Sequence, residues 1–303
     1  MRAFILILGA AVLSMLPACD DDGPDCVRMA MAPECQPVID GFDHPESVFF
    51  DQGTRAFYVS SVGVQQTTGD GFVSRIDGAS GVVTARFTAG LDDPTGMRSF
   101  NGRLFVNDRT SIRIIELASG RLIETIAVPG ATFLNDLTVD PANGDVYSSD
   151  TFTDTIFRVP GGGGAPEVFL RTPTLEAPNG LLVEGGTLVV NGIGPNLNPM
   201  TFQTSAPGKI QKIAIATVAL TSFSERIGVL DGMERDGANL LVTDFTGKLF
   251  SVDAAGAGKL LLDGTAGVFA NAAADLGFDP ARRIAAVPQL NGTTVTFVDL
   301  DKL

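Results

Sequence analysis

Histidine is nearly missing from this chain: one residue, His44, in 303. A metal site built on two imidazoles is therefore excluded, and a Ser-His-Asp triad would have to use His44. No Gly-x-Ser-x-Gly elbow is present to carry its serine. Cysteine is scarce too, with three residues, which excludes a four-cysteine zinc ribbon. Tryptophan is absent and Tyr occurs twice, so 20 Phe carry the aromatic bulk. Basic residues are few, 21 Lys and Arg against 35 Asp and Glu. The resulting charge of -14 and pI near 4.4 exclude a nucleic-acid partner held through its phosphates. No apolar run reaches the roughly 20 residues that span a bilayer.

What is present is short apolar runs separated by turn formers, 35 Gly and 17 Pro among them. The first run differs. Arg2 precedes the apolar stretch 3–16, which has the length of a signal h-region. It leads into Leu16-Pro17-Ala18-Cys19 and then the acidic Asp20-Asp21-Asp22-Gly23-Pro24-Asp25. Leu at −3, Ala at −1 and Cys resemble the bacterial lipobox. That implies cleavage before Cys19, lipidation of its sulfur and anchoring to a membrane of the cell envelope. An ordinary secretory signal cleaved near Ala18 is the other reading, and both export the protein. With Cys19 lipidated, Cys26 and Cys35 remain as an even pair in an oxidising compartment, and a disulfide between them is expected. The expected organisation is a signal peptide over 1–18, an acidic tether with a small disulfide loop over 19–36, and one folded domain over 37–303.

The rest of the chain repeats. Six segments share a template of a polar cluster, an alternating apolar run, a turn, and further β-runs. Aligned on their apolar positions, they place Glu46, Thr95, Asn135, Asn179, Asp231 and Ala274 at one register, 40 to 52 residues apart. Second and third runs follow each, for example Ala56-Phe57-Tyr58-Val59 and then 71–77. Strands this short, at this spacing and with no helical period, predict an all-β fold: a six-bladed β-propeller with four-stranded blades. The last repeat runs out of chain after three strands, and a propeller must close to leave no unpaired sheet edge. Pro37-Val38-Ile39-Asp40 is the expected donor of the missing outermost strand. Residues 193–207 lengthen one connection of the fourth repeat and form a candidate rim loop.

In a propeller the innermost strands line the central channel, so the register residues should form a ring at one mouth. Glu46, Asn135, Asn179 and Asp231 carry hard oxygen ligands there. Two carboxylates and two amide carbonyls suit calcium, with water or substrate completing its six to eight oxygens. Softer metals would want His or Cys. Singly, Asn179-Gly180 and Asp231-Gly232 are ordinary turn formers; the shared register is what points to a metal. Asp231 was expected to lie opposite Glu46 across the ring. Asp140, Asp150, Asp236, Asp244 and Asp279 recur at strand ends, where turn hydrogen bonding is expected.

The set His44-Pro45-Glu46-Ser47-Val48, Asn135-Asp136, Pro178-Asn179-Gly180-Leu181 and Leu230-Asp231-Gly232-Met233 resembles the family of senescence marker protein (regucalcin), gluconolactonase and luciferin-regenerating enzyme. It is more distantly similar to diisopropylfluorophosphatase and paraoxonase. The resemblance covers residue 38 to the end. It implies one calcium ion held by Glu46, Asn179 and Asp231, with Asn135 as ligand or substrate contact, and hydrolysis of a lactone or related ester. Gluconolactonase-type members carry an Arg two residues before the third-blade Asn, where this chain has Phe133. A small-molecule substrate less polar than a sugar lactone is expected accordingly. Asp231, Asp136 and Asp275 are the candidates for the catalytic carboxylate, as general base or, for Asp231, as nucleophile. The alternative is a membrane-tethered, non-catalytic binding propeller with a structural calcium; a lyase of the strictosidine-synthase kind is a third option.

Overall fold

The structure, a computed structural model, describes residues 38–270 and 272–303. The signal segment, the tether and Cys19, Cys26 and Cys35 all lie outside the described residues. Twenty-four strands, numbered in chain order, form six antiparallel four-stranded sheets arranged as a six-bladed β-propeller. The second strands of the blades carry near-continuous apolar runs, such as Phe57-Tyr58-Val59 and Leu104-Phe105-Val106, because the blades bury both faces against their neighbours.

The first blade contains β2 (Pro45–Asp51), β3 (Ala56–Ser61), β4 (Gly71–Asp77) and β5 (Val83–Leu91). In the second are β6 (Pro94–Phe100), β7 (Arg103–Asp108), β8 (Ser111–Glu116) and β9 (Leu122–Ala127). The third is β10 (Leu134–Val139), β11 (Val146–Asp150), β12 (Thr155–Val159) and β13 (Glu167–Arg171). Blade four follows as β14 (Pro178–Glu184), β15 (Thr187–Gly192), β16 (Ile210–Ala214) and β17 (Ala219–Ser222). Blade five is β18 (Leu230–Asp236), β19 (Asn239–Asp244), β20 (Lys248–Val252) and β21 (Gly258–Asp263). The sixth has β22 (Gly277–Asp279), β23 (Ile284–Pro288) and β24 (Thr294–Asp299), and takes its outer strand from the start of the domain. That strand, β1 (Val38–Asp40), pairs antiparallel with β24, Val38 opposite Thr296 and Asp40 opposite Thr294.

The apolar interior is six inter-blade layers rather than one core. Between blades six and one, Ile39, Val48, Phe57, Ile76, Ala286 and Val295 pack together, so the closing strand contributes to the core as well as to the ladder. Between blades one and two the layer centres on Tyr58, Leu91, Met97 and Leu104, all fully buried. At roughly 25 cal/mol per Å² of apolar area removed from water, these layers are the main force holding the blades side by side.

Of the strand-end aspartates, Asp140, Asp244 and Asp279 tie turns as expected, whereas Asp236 accepts from Arg283 Nη1. Asp244 Oδ2 accepts from Val229 N at 3.0 Å and its Oδ1 from Thr246 N at 2.7 Å. Asp140 Oδ1 accepts from Ala142 N at 2.9 Å, and Asp279 Oδ1 from Ala281 N at 3.0 Å.

Candidate metal centre

Five of the six register residues sit at a β-bulge; the sixth, Ala274, precedes β22, whose pairing with β23 has no shift. In blade three, Leu134 pairs with Asp150 and Leu137 with Ser148, so Asn135 and Asp136 together oppose Ser149. The same shift places Thr95-Gly96 against Asn107, Asn179-Gly180 against Asn191 and Asp231-Gly232 against Thr243. In blade one the shift falls at Glu46. A bulge re-aims a side chain and leaves an N–H unpaired. Here a side chain on the second strand takes that N–H: Ser60 Oγ accepts from Ser47 N at 2.9 Å, Ser149 Oγ from Asp136 N at 3.0 Å, Asn191 Oδ1 from Gly180 N at 2.8 Å, and Thr243 Oγ1 from Gly232 N at 2.9 Å.

Three of these side chains also reach forward into the next blade. Ser149 Oγ donates to Asn179 O at 2.8 Å, Asn191 Nδ2 to Asp231 O at 2.6 Å, and Thr243 Oγ1 to Ala274 O at 2.8 Å. Thr95 does the equivalent from the inner strand, donating to Leu134 O at 2.9 Å. Between blades six and one, Asp275 N donates to Glu46 O and Val48 N to Asp275 O. The register backbone is thus fixed from both sides before any ligand arrives. Sequence reasoning missed this second ring, because Ser, Asn and Thr do the same work there and no single letter repeats.

Glu46, Thr95, Asn135, Asn179 and Asp231 together line one cavity of about 560 Å³, inside the range of small-molecule sites. All five are buried. Glu46 Oε2, Asn179 Oδ1 and Asp231 Oδ1 are buried oxygens with no hydrogen-bond partner. Asn135 has its amide nitrogen committed, donating to Thr151 Oγ1 at 3.0 Å. Buried polar atoms are normally paired, and these three acceptors around one cavity are free to ligate a cation. Electrostatics point the same way. Burial, and then the neighbouring carboxylates of Asp231, Asp275 and Asp136, push the Glu46 carboxyl well above its ordinary range. Burial and the charge of Asp136 push Asp231 up to about 8, against a lowering hydrogen bond from the Asn179 side chain. Such a cluster resists ionisation until positive charge arrives.

Glu46 and Asp231 come from blades one and five, so they are not opposite each other; the blade across from Glu46 supplies Asn179. Among the described residues no three His, Cys, Asp or Glu side chains gather as a metal cluster. The site therefore rests on two carboxylates and two amide oxygens. Its donor set is all-oxygen, which fits calcium and not a soft metal.

Asp136 and Asp275 do not line the cavity. Asp136 Oδ1 accepts from Leu137 N and its Oδ2 from Leu181 N, both at 2.7 Å. Asp275 Oδ2 accepts from Ser47 Oγ at 2.6 Å. Burial raises both, Asp136 to about 6 and Asp275 well above its ordinary range. Each lies over a glycine of the preceding blade. A Cβ on Gly96 would come 2.3 Å from Asp136 Oδ1, and one on Gly232 would come 2.4 Å from Asp275 Oδ1. Further along the same strands, Arg98 Nη1 of β6 donates to Glu234 Oε1 of β18 at 2.6 Å.

The walls above the ring are apolar: Val62, Phe133, Ile193, Phe202, Val229, Phe245 and Leu290. His44 stands at the rim, its Nδ1 2.9 Å from Asp43 Oδ1. Asp93 also lines the cavity and is paired to Arg109 Nε.

No protein-family profile matches the chain, and no curated protein matches it. Among solved structures it is similar to a chain in the crystal structure of a nidogen/laminin complex, with a TM-score of 0.57 and 17% identity. The match covers 71% of this chain and 78% of that one. At that identity the likeness is one of fold, and it agrees with the propeller described above.

Proposed function

We propose that the protein is a calcium-dependent hydrolase of a lactone or related ester, of the kind its register motifs resemble. The observation that carries the reading is the set of unpartnered buried oxygens on Glu46, Asn179 and Asp231 at the floor of an apolar cavity. Glu46, Asn179 and Asp231 would hold the ion, with Asn135 as a fourth oxygen or a substrate contact. When bound, calcium supplies positive charge to offset what develops on an ester carbonyl oxygen under attack. The chain's own residues do the rest. The apolar walls exclude bulk water and orient the substrate with its carbonyl toward the floor. Of the three candidate carboxylates, Asp231 is the one on the cavity wall; in this reading it takes a proton from water or attacks the carbonyl itself. Asp136 and Asp275, engaged below the ring, position the strands that carry Asn135 and the first-blade Glu46.

The second reading, a binding propeller with a structural calcium, is favoured by Phe133 standing where a polyol-binding Arg would be. Hydrolysis of a panel of chromogenic esters and lactones, with calcium and with chelator, separates the two. Activity that needs calcium supports the hydrolase. Tight calcium binding without any turnover leaves the binding propeller.

The export signal is part of the proposal: a lipid on Cys19 tethers the domain to a membrane of the cell envelope, and Cys26 and Cys35 form a disulfide. A Cys19→Ser variant should be released or remain an unprocessed precursor. A processed variant still in the membrane would remove the lipid anchor from the reading.

A further inference from the structure

Four phenylalanines from three blades make a continuous arc over the mouth of the cavity. Phe133 and Phe152 of blade three lie 5.1 Å apart by ring centroid, Phe152 and Phe202 5.9 Å, and Phe202 and Phe245 of blade five 6.2 Å and stacked. The separations are those of attractive aromatic pairs. Yet the arc is not core: Phe152 and Phe202 are each 40% exposed. Phe133, Phe202 and Phe245 turn toward the cavity and line it.

Phe202 belongs to the blade-four insertion, 193–207. That segment is held by its own hydrogen bonds. Asn198 N donates to Gln203 O at 2.9 Å, Phe202 N to Asn198 O at 2.8 Å, and Ser205 N to Pro195 O at 2.9 Å. Asn198 Oδ1 also accepts from Met200 N at 2.9 Å. Within this ordered loop Phe202 has φ 53°, a left-handed conformation that is an outlier for a bulky side chain. A polar residue or glycine would satisfy such a turn at lower cost. Unusual backbone that the surrounding hydrogen bonds enforce is a feature of ligand-contacting positions.

The remaining walls define the ligand's charge. No Lys or Arg lines the cavity, whereas Glu46, Asp93 and Asp231 do. An anionic ligand would meet no side-chain cation there. A polyol would find hydrogen-bonding groups at the floor and at His44, Gln65, Asp93 and Asn291, but only hydrocarbon along the side formed by Phe133, Ile193, Phe202 and Phe245.

We infer that the arc is a subsite for an aromatic or branched apolar group of an uncharged ester or lactone, and that Phe202 determines this specificity. The substrate class rests on the hydrolase reading; the apolar subsite does not.

The test uses a neutral environment-sensitive naphthyl ketone dye, titrated in chelator so that neither metal nor turnover enters. The absence of Trp leaves the emission window clear. The dye should bind saturably to the wild type, and Phe202→Ala should weaken it about tenfold, as loss of one aromatic contact surface implies. Phe202→Leu should fall between, and Val168→Ala, an exposed apolar change on a different strand, should bind as wild type. Thermal midpoints confirm that each variant is folded. In parallel, kcat/KM in calcium should favour aryl and branched-acyl esters over a sugar lactone, and Phe202→Ala should lower that preference through KM. Absent dye binding, or equal dye affinity in wild type and folded Phe202→Ala, overturns the subsite even if esters are hydrolysed. Dye binding that depends on Phe202, with no hydrolysis of any ester, upholds the subsite and removes the hydrolase.

Discussion

Arg98 and Glu234 meet on the axis of the propeller, 2.6 Å apart, from the inner strands of blades two and five, which face each other across the ring. Both side chains are largely buried. Glu234 and the carboxylates of Asp136 and Asp275 hold the Arg98 guanidinium charged despite its desolvation. The pair bonds two facing blades directly, away from the residues that line the cavity.

Breaking this pair should be costly. Arg98→Met leaves Glu234 buried and unpaired and removes the cation near Asp136 and Asp275, so it should destabilise by about 3 kcal/mol. The double variant Arg98→Met with Glu234→Leu should recover at least about 1 kcal/mol of that. Denaturant unfolding of the four members of the cycle measures it. A double variant whose loss equals the sum of the two single losses would show that the two side chains are not energetically coupled.

Asp231→Asn lowers the formal charge of the ring from −2 to −1. Calcium affinity should drop at least about tenfold by calorimetric titration, since ligand charge sets hard-cation affinity. Asp244→Asn should leave calcium affinity near wild type while costing about 1 kcal/mol of stability, because Asp244 accepts from Val229 N and Thr246 N. Equal calcium affinity in wild type and Asp231→Asn would remove Asp231 from the ligand set.

The pH dependence has a definite sign. In the metal-free protein the Asp231 carboxyl sits at about 8 and that of Asp136 at about 6, against 3.8 as the model-compound value for both. A folded state that holds protons more tightly than the unfolded chain is favoured at low pH. The contribution is complete below about pH 4 and is lost as pH rises through the folded values, toward about 8. In chelator, thermal midpoints should therefore fall between about pH 5 and pH 8. Added calcium should reverse the trend, with its apparent affinity rising over the same interval as the carboxyls ionise. A chelated protein that gains stability across that interval would contradict the proposed cluster.

Gly232→Ala drives a Cβ to 2.4 Å from Asp275 Oδ1 and 2.5 Å from Leu276 N. Since the obstacles include backbone, the strand has to shift. The cost should be roughly 2 kcal/mol, with weakened calcium binding because Asp231 moves too. At Gly162 a Cβ meets nothing within 4 Å, so Gly162→Ala serves as the neutral control. Denaturant midpoints and calcium titrations of the two variants give the comparison.

The ring of register residues was legible because a repeat makes six weak signals into one, and the closing strand because three β-runs in the last repeat demanded a fourth. The inner and second strands lie close to the runs read from sequence; β10, for example, covers Leu134–Val139. Outer strands such as β9 and β17 carry exposed, weakly alternating residues and gave no such signal. The Arg98–Glu234 contact joins residues 136 apart whose meeting depends on ring geometry. The arc was hidden for a related reason: Phe133 was visible as a missing Arg, but Phe152, Phe202 and Phe245 become neighbours only once three blades are in place. Asp231 stands two blades from Glu46 rather than across the ring, because blade five is separated from blade one only by blade six.

The pairing of Val38 with Thr296 has a consequence for biogenesis. The first strand of the domain to leave the ribosome is the one whose partner is made last. Until β24 arrives, Ile39 has no layer to enter and the edge of blade six has no cover. Ring closure therefore waits for the last strand of the domain, and it joins segments of large sequence separation, with a correspondingly large loop entropy to overcome. The clasp joins the beginning and end of the domain, and the ring locks only when both are present.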